Sequence, residues 1–320
     1  MREWDEEDLC LVALAATDGV GPATVARLRA TARAAQLRLA EVLKWSPGRL
    51  VAEAGLRHAC ARAAHSMADP AAHGRAVLRG LGRLGIRAVL AGRRGYPARL
   101  AEALGEQAPA VLFLAGSGSL LERPCLAIVG SRQPSRQALD AARALARGEA
   151  GAGVTVVSGG ASGIDSAAHA GAMEAGGTAV VPALGLAHLH WRGPRGAAEG
   201  SWCAVGQFPP QAPWRAAQAL LRNRTIVALS RAVVAFEPRD GGGTFHSSMA
   251  AIAMRKPLFV VAASRRGAKA RGLTRLVRLG AVALDAAVMP NPDELDRLVA
   301  EYRPVPCPDQ LLLFEPRGPY

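Results

Sequence analysis

Apolar positions along this chain follow two regimes. Between residues 8 and 68 they recur at helical spacing: Leu9, Val12 and Leu14, then Val20, Val25 and Leu28, then Leu39, Val42 and Leu43, which predicts a set of short helices. From about residue 86 the apolar residues bunch into short, β-branched runs separated by Ala-rich stretches. The runs predict strands at 86–90, 111–114, 126–129, 154–157, 178–182, 232–236 and 257–262. The stretches between them predict helices at about 75–84, 135–148, 164–175, 216–229 and 244–254, with a last βα piece over about 270–300. Residues 186–215, rich in Trp, Pro and Gly, predict no regular element. Continuous apolar strands alternating with helices predict an α/β fold with a doubly wound, mainly parallel sheet, preceded by a small helical domain. The stretch Asp69–Gly74 divides domain 1–70 from domain 71–300, and residues 301–320 form a Pro-rich tail.

Two of the strands end alike. Leu126–Val129 runs into Gly130-Ser131-Arg132, and Val154–Val157 runs into Ser158-Gly159-Gly160, with Gly163 and Asp165 following. Small residues there let the backbone approach a ligand. The helix that follows presents unpaired N–H groups and a positive dipole end, an arrangement that binds phosphate. A third such loop, Gly242-Gly243-Thr244, opens the helix after strand 232–236, where Thr244 can cap the helix and donate to an anion. Arg132, at a strand's carboxyl end, can clamp a phosphate through two oxygens, although the chain is rich in surface arginine.

Asp165 and His169 lie four apart on one helix face. They are either an acid/base pair or, the preferred reading, a loop-bracing carboxylate above a packed imidazole. No Ser or Cys nucleophile stands beside His169 in the local sequence, so no catalytic residue is assigned. In Arg222-Asn223-Arg224 the two guanidinium groups point to different sides of a helix, so one binds ligand while the other braces a loop. Residues 264–278 gather Arg265, Arg266, Lys269, Arg271, Arg275 and Arg278, either a polyanion-binding edge or a solvated charged segment.

The net charge of +13 favours a polyanionic partner, tempered by composition: of the 39 basic residues only Lys44, Lys256 and Lys269 are lysine. Cys10, Cys60, Cys125, Cys203 and Cys307 are scattered, as expected for idle thiols in a reducing cytoplasm rather than for a metal site or a disulfide frame. No metal or cofactor is expected. The acidic N-terminus and the lack of a long apolar run predict a cytoplasmic protein without membrane attachment. Asp18-Gly19-Val20-Gly21-Pro22 resembles the turn of SAM- and helix-hairpin-helix-like domains, which holds a DNA phosphate; a plain interhelical turn fits it equally.

Together these motifs resemble the DNA-processing protein A (DprA, or Smf) family. The resemblance rests on Gly95-Tyr96-Pro97, Pro109–Phe113 with Gly116, Ile128–Arg132, Ser158–His169, Arg222-Asn223-Arg224, Gly242-Gly243-Thr244, and Gly272, Leu276, Gly280 and Ala281. It implies an extended Rossmann-like domain that binds single-stranded DNA as a homodimer, without catalysis, and loads RecA on incoming DNA in transformation. It also implies that Arg132 holds phosphate, with the amides of 159–163 and the 242–244 turn lining the pocket. The chain departs from the family at 184–213. Ala187–Arg192 replaces a Tyr-Pro pair with its basic or Asn neighbours, and Gly206-Gln207 replaces a Ser-Glu. The winged helix that many members carry at the C-terminus has no counterpart here.

Gln310, Leu313 and Phe314, in the run Gln310–Phe314, resemble the short motif that bacterial DNA proteins insert into the sliding clamp; an edge strand packed on the domain is the equal alternative. The competing functional class is a nucleotide-binding or phosphoribohydrolase-like protein. Its Gly-Gly-x-Gly-Thr turn precedes a catalytic Glu, whereas Phe245-His246-Ser247-Ser248 follows Thr244 here.

Overall fold

The computed structural model describes residues 4–189, 200–261 and 267–305, with backbone alone at 267–269. The chain divides into two compact units. The first comprises Met1–Gly116, Leu184–His190 and Val205–Trp214; the second comprises Ser117–Ala183, Trp191–Ala204 and Arg215–Tyr320.

The first unit begins with six helices: α1 (Glu6–Ala16), α2 (Pro22–Ala34), α3 (Leu39–Leu43), α4 (Pro47–Ala54), α5 (His58–His65) and α6 (Pro70–Arg83). Their caps are written in the sequence. Asp5, Ser46 and Asp69 each accept a backbone N–H of the first turn, and Pro opens α2, α4 and α6. Helix α6 therefore starts at Pro70, five residues ahead of the expected position. Gly74 does not break it but lets α6 lie against the Leu9 carbonyl of α1. Strands β1 (Ile86–Leu90) and β2 (Val111–Gly116) then pair antiparallel, with α7 (Ala98–Leu104) between them. The Tyr96 hydroxyl donates to the Pro109 carbonyl at 2.7 Å and closes that connection.

The second unit alternates strand and helix: β3 (Cys125–Gly130), α8 (Arg136–Gly151), β4 (Thr155–Ser158), α9 (Ile164–Ala175), β5 (Thr178–Val180), β6 (Trp202–Gly206), α10 (Ala216–Leu229), β7 (Ala232–Phe236), α11 (Gly243–Ala253), β8 (Leu258–Val261), α12 (Gly267–Arg278), β9 (Val282–Leu284) and α13 (Pro292–Glu301). Strands β3 to β9 are all parallel, in the order β6-β5-β4-β3-β7-β8-β9. The doubly wound α/β sheet is thus present. Strand order reverses between β3 and β7, which pair from Leu126↔Ala232 to Gly130↔Phe236. Such a reversal opens a crevice at the carboxyl ends of the two strands.

Strand β6 falls within 186–215, where no element was expected. Its apolar run, Trp202–Val205, is short and bounded by Gly200 and Gly206, so only pairing with β5 reveals it. The expected final βα piece is instead α12, β9 and α13, because the basic segment is helical from Gly267.

The core of this unit joins Leu126, Ile128, Val156, Val234, Phe236 and Phe259 of the sheet to Ala138, Ala142, Leu145, Ile164 and Ala168 of the helices. The Ala-rich sequences of α8 and α9 suit close helix contact, with Gly171 against the Arg143 carbonyl. Cys10, Cys60, Cys125 and Cys203 are buried free thiols. Among the described residues no helix is long and apolar enough to cross a membrane.

Candidate nucleic-acid interface

A cavity of about 510 Å³ opens at the strand-order reversal, within the second unit. Three of its walls are the predicted loops. Gly130, Ser131 and Arg132 follow β3, Asp165 stands on α9, and Gly242, Gly243 and Thr244 begin α11. Arg222 and Asn223 of α10 form a further wall, with Ala219, Leu220 and Ile226 supplying an apolar side.

The loops are locked together by backbone. The Ile164 N–H donates to the Ser131 carbonyl at 3.2 Å. Gly163 at that junction has φ +82°, and a side chain there would overlap Ser131 and Arg132 backbone. Ser158 is buried and donates to the Ile128 carbonyl at 2.6 Å, and its hydroxyl also lies against the Asp165 carboxyl, which it helps to hold ionised. Asp165 accepts from the Ala161 N–H at 3.2 Å and holds the 159–163 loop closed, as the bracing alternative expects.

Arg222 is the central charge. Its side chain is buried and runs over Gly159. Its Nε and Nη1 are enclosed without a hydrogen-bond partner among the described atoms. Burial lowers its pKa, and the charge of Asp165 opposes that shift. Burial likewise pushes the Asp165 carboxyl up, opposed by Arg222 and the Ala161 amide. Unsatisfied buried N–H groups are costly, and an arriving anion supplies the acceptors they lack. Gly159→Ala places a Cβ on the guanidinium. We expect that variant to remain folded and to lose anion affinity at least about tenfold, read by oligonucleotide titration; unchanged affinity would remove Arg222 from the site.

His169 lies beneath this layer and is not part of the cavity lining. Thr178 donates its hydroxyl to the Val156 carbonyl at 2.8 Å, so its one proton is committed. His169 Nδ1 sits 2.8 Å from the same oxygen and is therefore the donor of that pair. Burial first, then Arg222, lowers the imidazole pKa to about 4, so it is neutral at physiological pH.

The other expected residues separate. Asn223 lines the cavity and donates to the Gly243 carbonyl at 3.3 Å, bracing the third loop, whereas Arg224 is absent from the lining. The N-cap of α11 is Gly242, not Thr244: the helix has already begun at Gly243, which places Thr244 in its first turn. Gly159, Gly160 and Gly163 shape the second loop without lining the cavity. Of the basic cluster, Arg271 and Arg275 are exposed on α12. Arg275 pairs with Asp240 at 3.1 Å and lies over the Phe245 ring, so part of its charge is committed to the turn before α11. Arg265, Arg266, Gln310, Leu313 and Phe314, and the Lys269 side chain, lie outside the described residues.

Sequence reasoning missed Glu237 and Arg239, which line the cavity at the carboxyl end of β7. Glu237 is buried, with φ +48°, and both its oxygens accept from the Ser135 N–H, at 3.2 and 3.3 Å. Ser135 in turn caps α8. The available signal was a carboxylate directly after a buried strand and before a Gly-rich turn.

A family model, DNA recombination-mediator protein A, matches residues 87–289. DNA processing protein DprA of Bacillus subtilis is 29% identical over 184 residues, 56% of this chain and 62% of that protein. Protein Smf of Escherichia coli is 31% identical over 179 residues, 54% of this chain and 48% of that one. The matched region is thus less than two thirds of either relative. Among solved structures, DNA processing protein A of Streptococcus pneumoniae aligns over 95% of this chain and 99% of its own, with a TM-score of 0.70 and 21% identity. DNA processing protein A of Helicobacter pylori, described for its single-stranded DNA binding mode, aligns over 68% and 97%, with a TM-score of 0.56 and 23% identity. Both likenesses are of fold. The family match, covering well over half of the residues, means that the chain belongs to the DNA recombination-mediator protein A family.

Proposed function

We propose that this chain binds single-stranded DNA through the cavity at the β3–β7 reversal and serves recombination without catalysing a reaction. The observation that carries this reading is the buried Arg222, with two N–H groups lacking acceptors among the described atoms, in a cavity rimmed by Arg132 and two helix N-termini. That is an anion site built at the place where doubly wound sheets take ligands. The Helicobacter pylori relative's single-stranded DNA binding mode supports a nucleic acid as the anion. A non-enzymatic role is supported by the neutral His169, engaged with Thr178 below the cavity, and by Ser247 and Ser248, whose hydroxyls donate to the Gly243 and Thr244 carbonyls.

In the finer reading the protein protects incoming DNA and loads RecA in transformation. It acts in the cytoplasm as a homodimer, with Gln310–Phe314 as a tether to the sliding clamp. Family membership supports the first parts and the tail sequence the last.

Binding of a labelled single-stranded oligonucleotide at two salt concentrations, for the wild type and Arg132→Ala, tests the central claim. We expect affinity to fall with salt, and the variant to bind at least about tenfold more weakly with a shallower salt slope. Binding that ignores Arg132 would leave only a nonspecific basic surface, and absence of binding would sink the proposal.

A further inference from the structure

We propose that helix α6, in the first unit, is a second nucleic-acid surface: Arg75, Arg79 and Arg83 grip the phosphate backbone of double-stranded DNA. None of these residues belongs to the cavity, so the inference stands apart from the reading above.

Between Asp69 and Glu102 the chain holds seven arginines and no acidic residue. A block of one charge sign is either a solvated face or an interaction surface, and what each arginine meets decides between them. Arg93 is answered by Asp5 at 3.0 Å and Asp8 at 3.2 Å. Arg87 donates to the Gly116 carbonyl at 3.4 Å. Arg75, Arg79 and Arg83 are exposed and have no hydrogen bond or ion pair from their side chains among the described residues. They recur every fourth residue of one helix, so they line one face of α6 about 6 Å apart. The other face is buried through Ala71, Gly74 and Leu81, with Gly74 against the Leu9 carbonyl of α1. Packing on α1 thus fixes the arginine row toward solvent.

Helix stability does not account for the row. On α4 and α8 an arginine meets an acid four residues on, Arg49 with Glu53 at 2.8 Å and Arg136 with Asp140 at 2.9 Å. On α6 both four-residue steps set arginine against arginine, which weakens a helix. The helix dipole favours Arg83, in the last turn, but its effect fades before Arg79 and Arg75. A polyanion laid along the face turns this repulsion into attraction and releases its own counterions.

The chemistry of the face selects the polyanion. Helix α6 contains no Phe, Tyr or Trp. Surfaces for single strands add aromatic platforms on which bases stack, and protein interfaces draw much of their energy from aromatic anchors. A membrane takes an amphipathic helix by its apolar face, which α6 has already buried. A duplex keeps its bases inside and offers phosphates, and each guanidinium can hold two phosphate oxygens.

The test uses the full chain and two probes, a relaxed closed circular duplex without strand ends and a short oligothymidylate, each titrated at several salt concentrations. The triple variant Arg75→Gln, Arg79→Gln, Arg83→Gln removes the charges and keeps good helix formers. We expect its duplex affinity to fall at least about tenfold, and its salt slope to become shallower by about one per arginine removed. Oligothymidylate affinity should change less than about twofold, because Arg132 and Arg222 are intact. A control, Arg136→Gln, Arg143→Gln, Arg147→Gln, removes the same charge from α8, where Asp140 and Glu174 answer it. It should keep duplex affinity within about twofold. Absence of duplex binding by the wild type, or duplex binding that the α6 variant leaves unchanged, overturns the proposal. So does an equal loss in the α8 control, which would trace the effect to net charge. Parallel loss of both probes in the α6 variant also overturns it, because α6 would then extend a single-strand site. The cavity is judged separately, by Arg132→Ala with the oligothymidylate.

Discussion

Arg222→Ala is expected to abolish single-stranded DNA binding and to destabilise the protein by about 1–3 kcal/mol, because it removes the charge that partly offsets the burial of Asp165. The loss does not measure what Arg222 itself contributes to stability. Arg222 has two enclosed N–H groups without acceptors among the described atoms, and each such group costs about 1–3 kcal/mol. Its net contribution to stability is therefore small. What makes the single substitution costly is Asp165, left buried without the guanidinium charge that offsets its burial. The double variant Arg222→Met with Asp165→Asn removes both charges and keeps volume. It should recover most of the stability in urea denaturation while binding no better than Arg222→Ala. That separation assigns Arg222 to ligand binding rather than to folding. Full binding by the double variant would show that the buried guanidinium is not the anion's partner. A single variant as stable as wild type would show that Asp165 does not depend on it.

Much of this architecture was legible because its signals are local. The strands β3 and β7 are unbroken apolar runs, β4 is a short β-branched one, and α8, α9 and α11 follow them, so the three loops at the carboxyl ends fall where the sequence says. Arg132, Asp165 and Arg222 then converge because strand order reverses between β3 and β7, a topology that alternating elements imply. What stayed hidden depends on long-range contact. Strand β6 has too few apolar residues to stand out among glycines and prolines, and becomes a strand by pairing with β5. Glu237 reads as an ordinary loop carboxylate until Ser135, a hundred residues earlier, is seen to donate to it. The basic segment looks like free charge until Arg275 meets Asp240 and Phe245.

Glu149 gives the fold a pH dependence that can be predicted in sign. Its side chain is fully buried at the end of α8, 3.4 Å from Arg231, and its Oε1 has no hydrogen-bond partner among the described atoms. Burial raises its pKa from 4.5 to about 7; Arg231 pulls the other way and Asp296 adds to the rise. Arg231 is shared, since it also pairs with Asp296 of α13. An acid with a raised folded pKa stabilises most below its unfolded value, and that contribution is lost as pH climbs through about 7. Between pH 6 and pH 8 the loss is about 1 kcal/mol. His169 acts in the opposite direction over the same range. Its folded pKa of about 4 lies below the ordinary 6.5, so its contribution is present at pH 8 and shrinks as pH falls below 6.5. The wild-type curve alone therefore mixes two opposing slopes. Glu149→Gln isolates one of them, because it fixes the neutral form and leaves His169 untouched. The variant's stability relative to wild type should rise by about 1 kcal/mol from pH 6 to pH 8 in urea titrations. Amide exchange in α13 should slow in parallel in the variant, because Arg231 no longer divides its charge between two carboxylates. A difference between the two proteins that stays constant with pH would mean that Glu149 is already ionised at pH 6, with Arg231 outweighing burial.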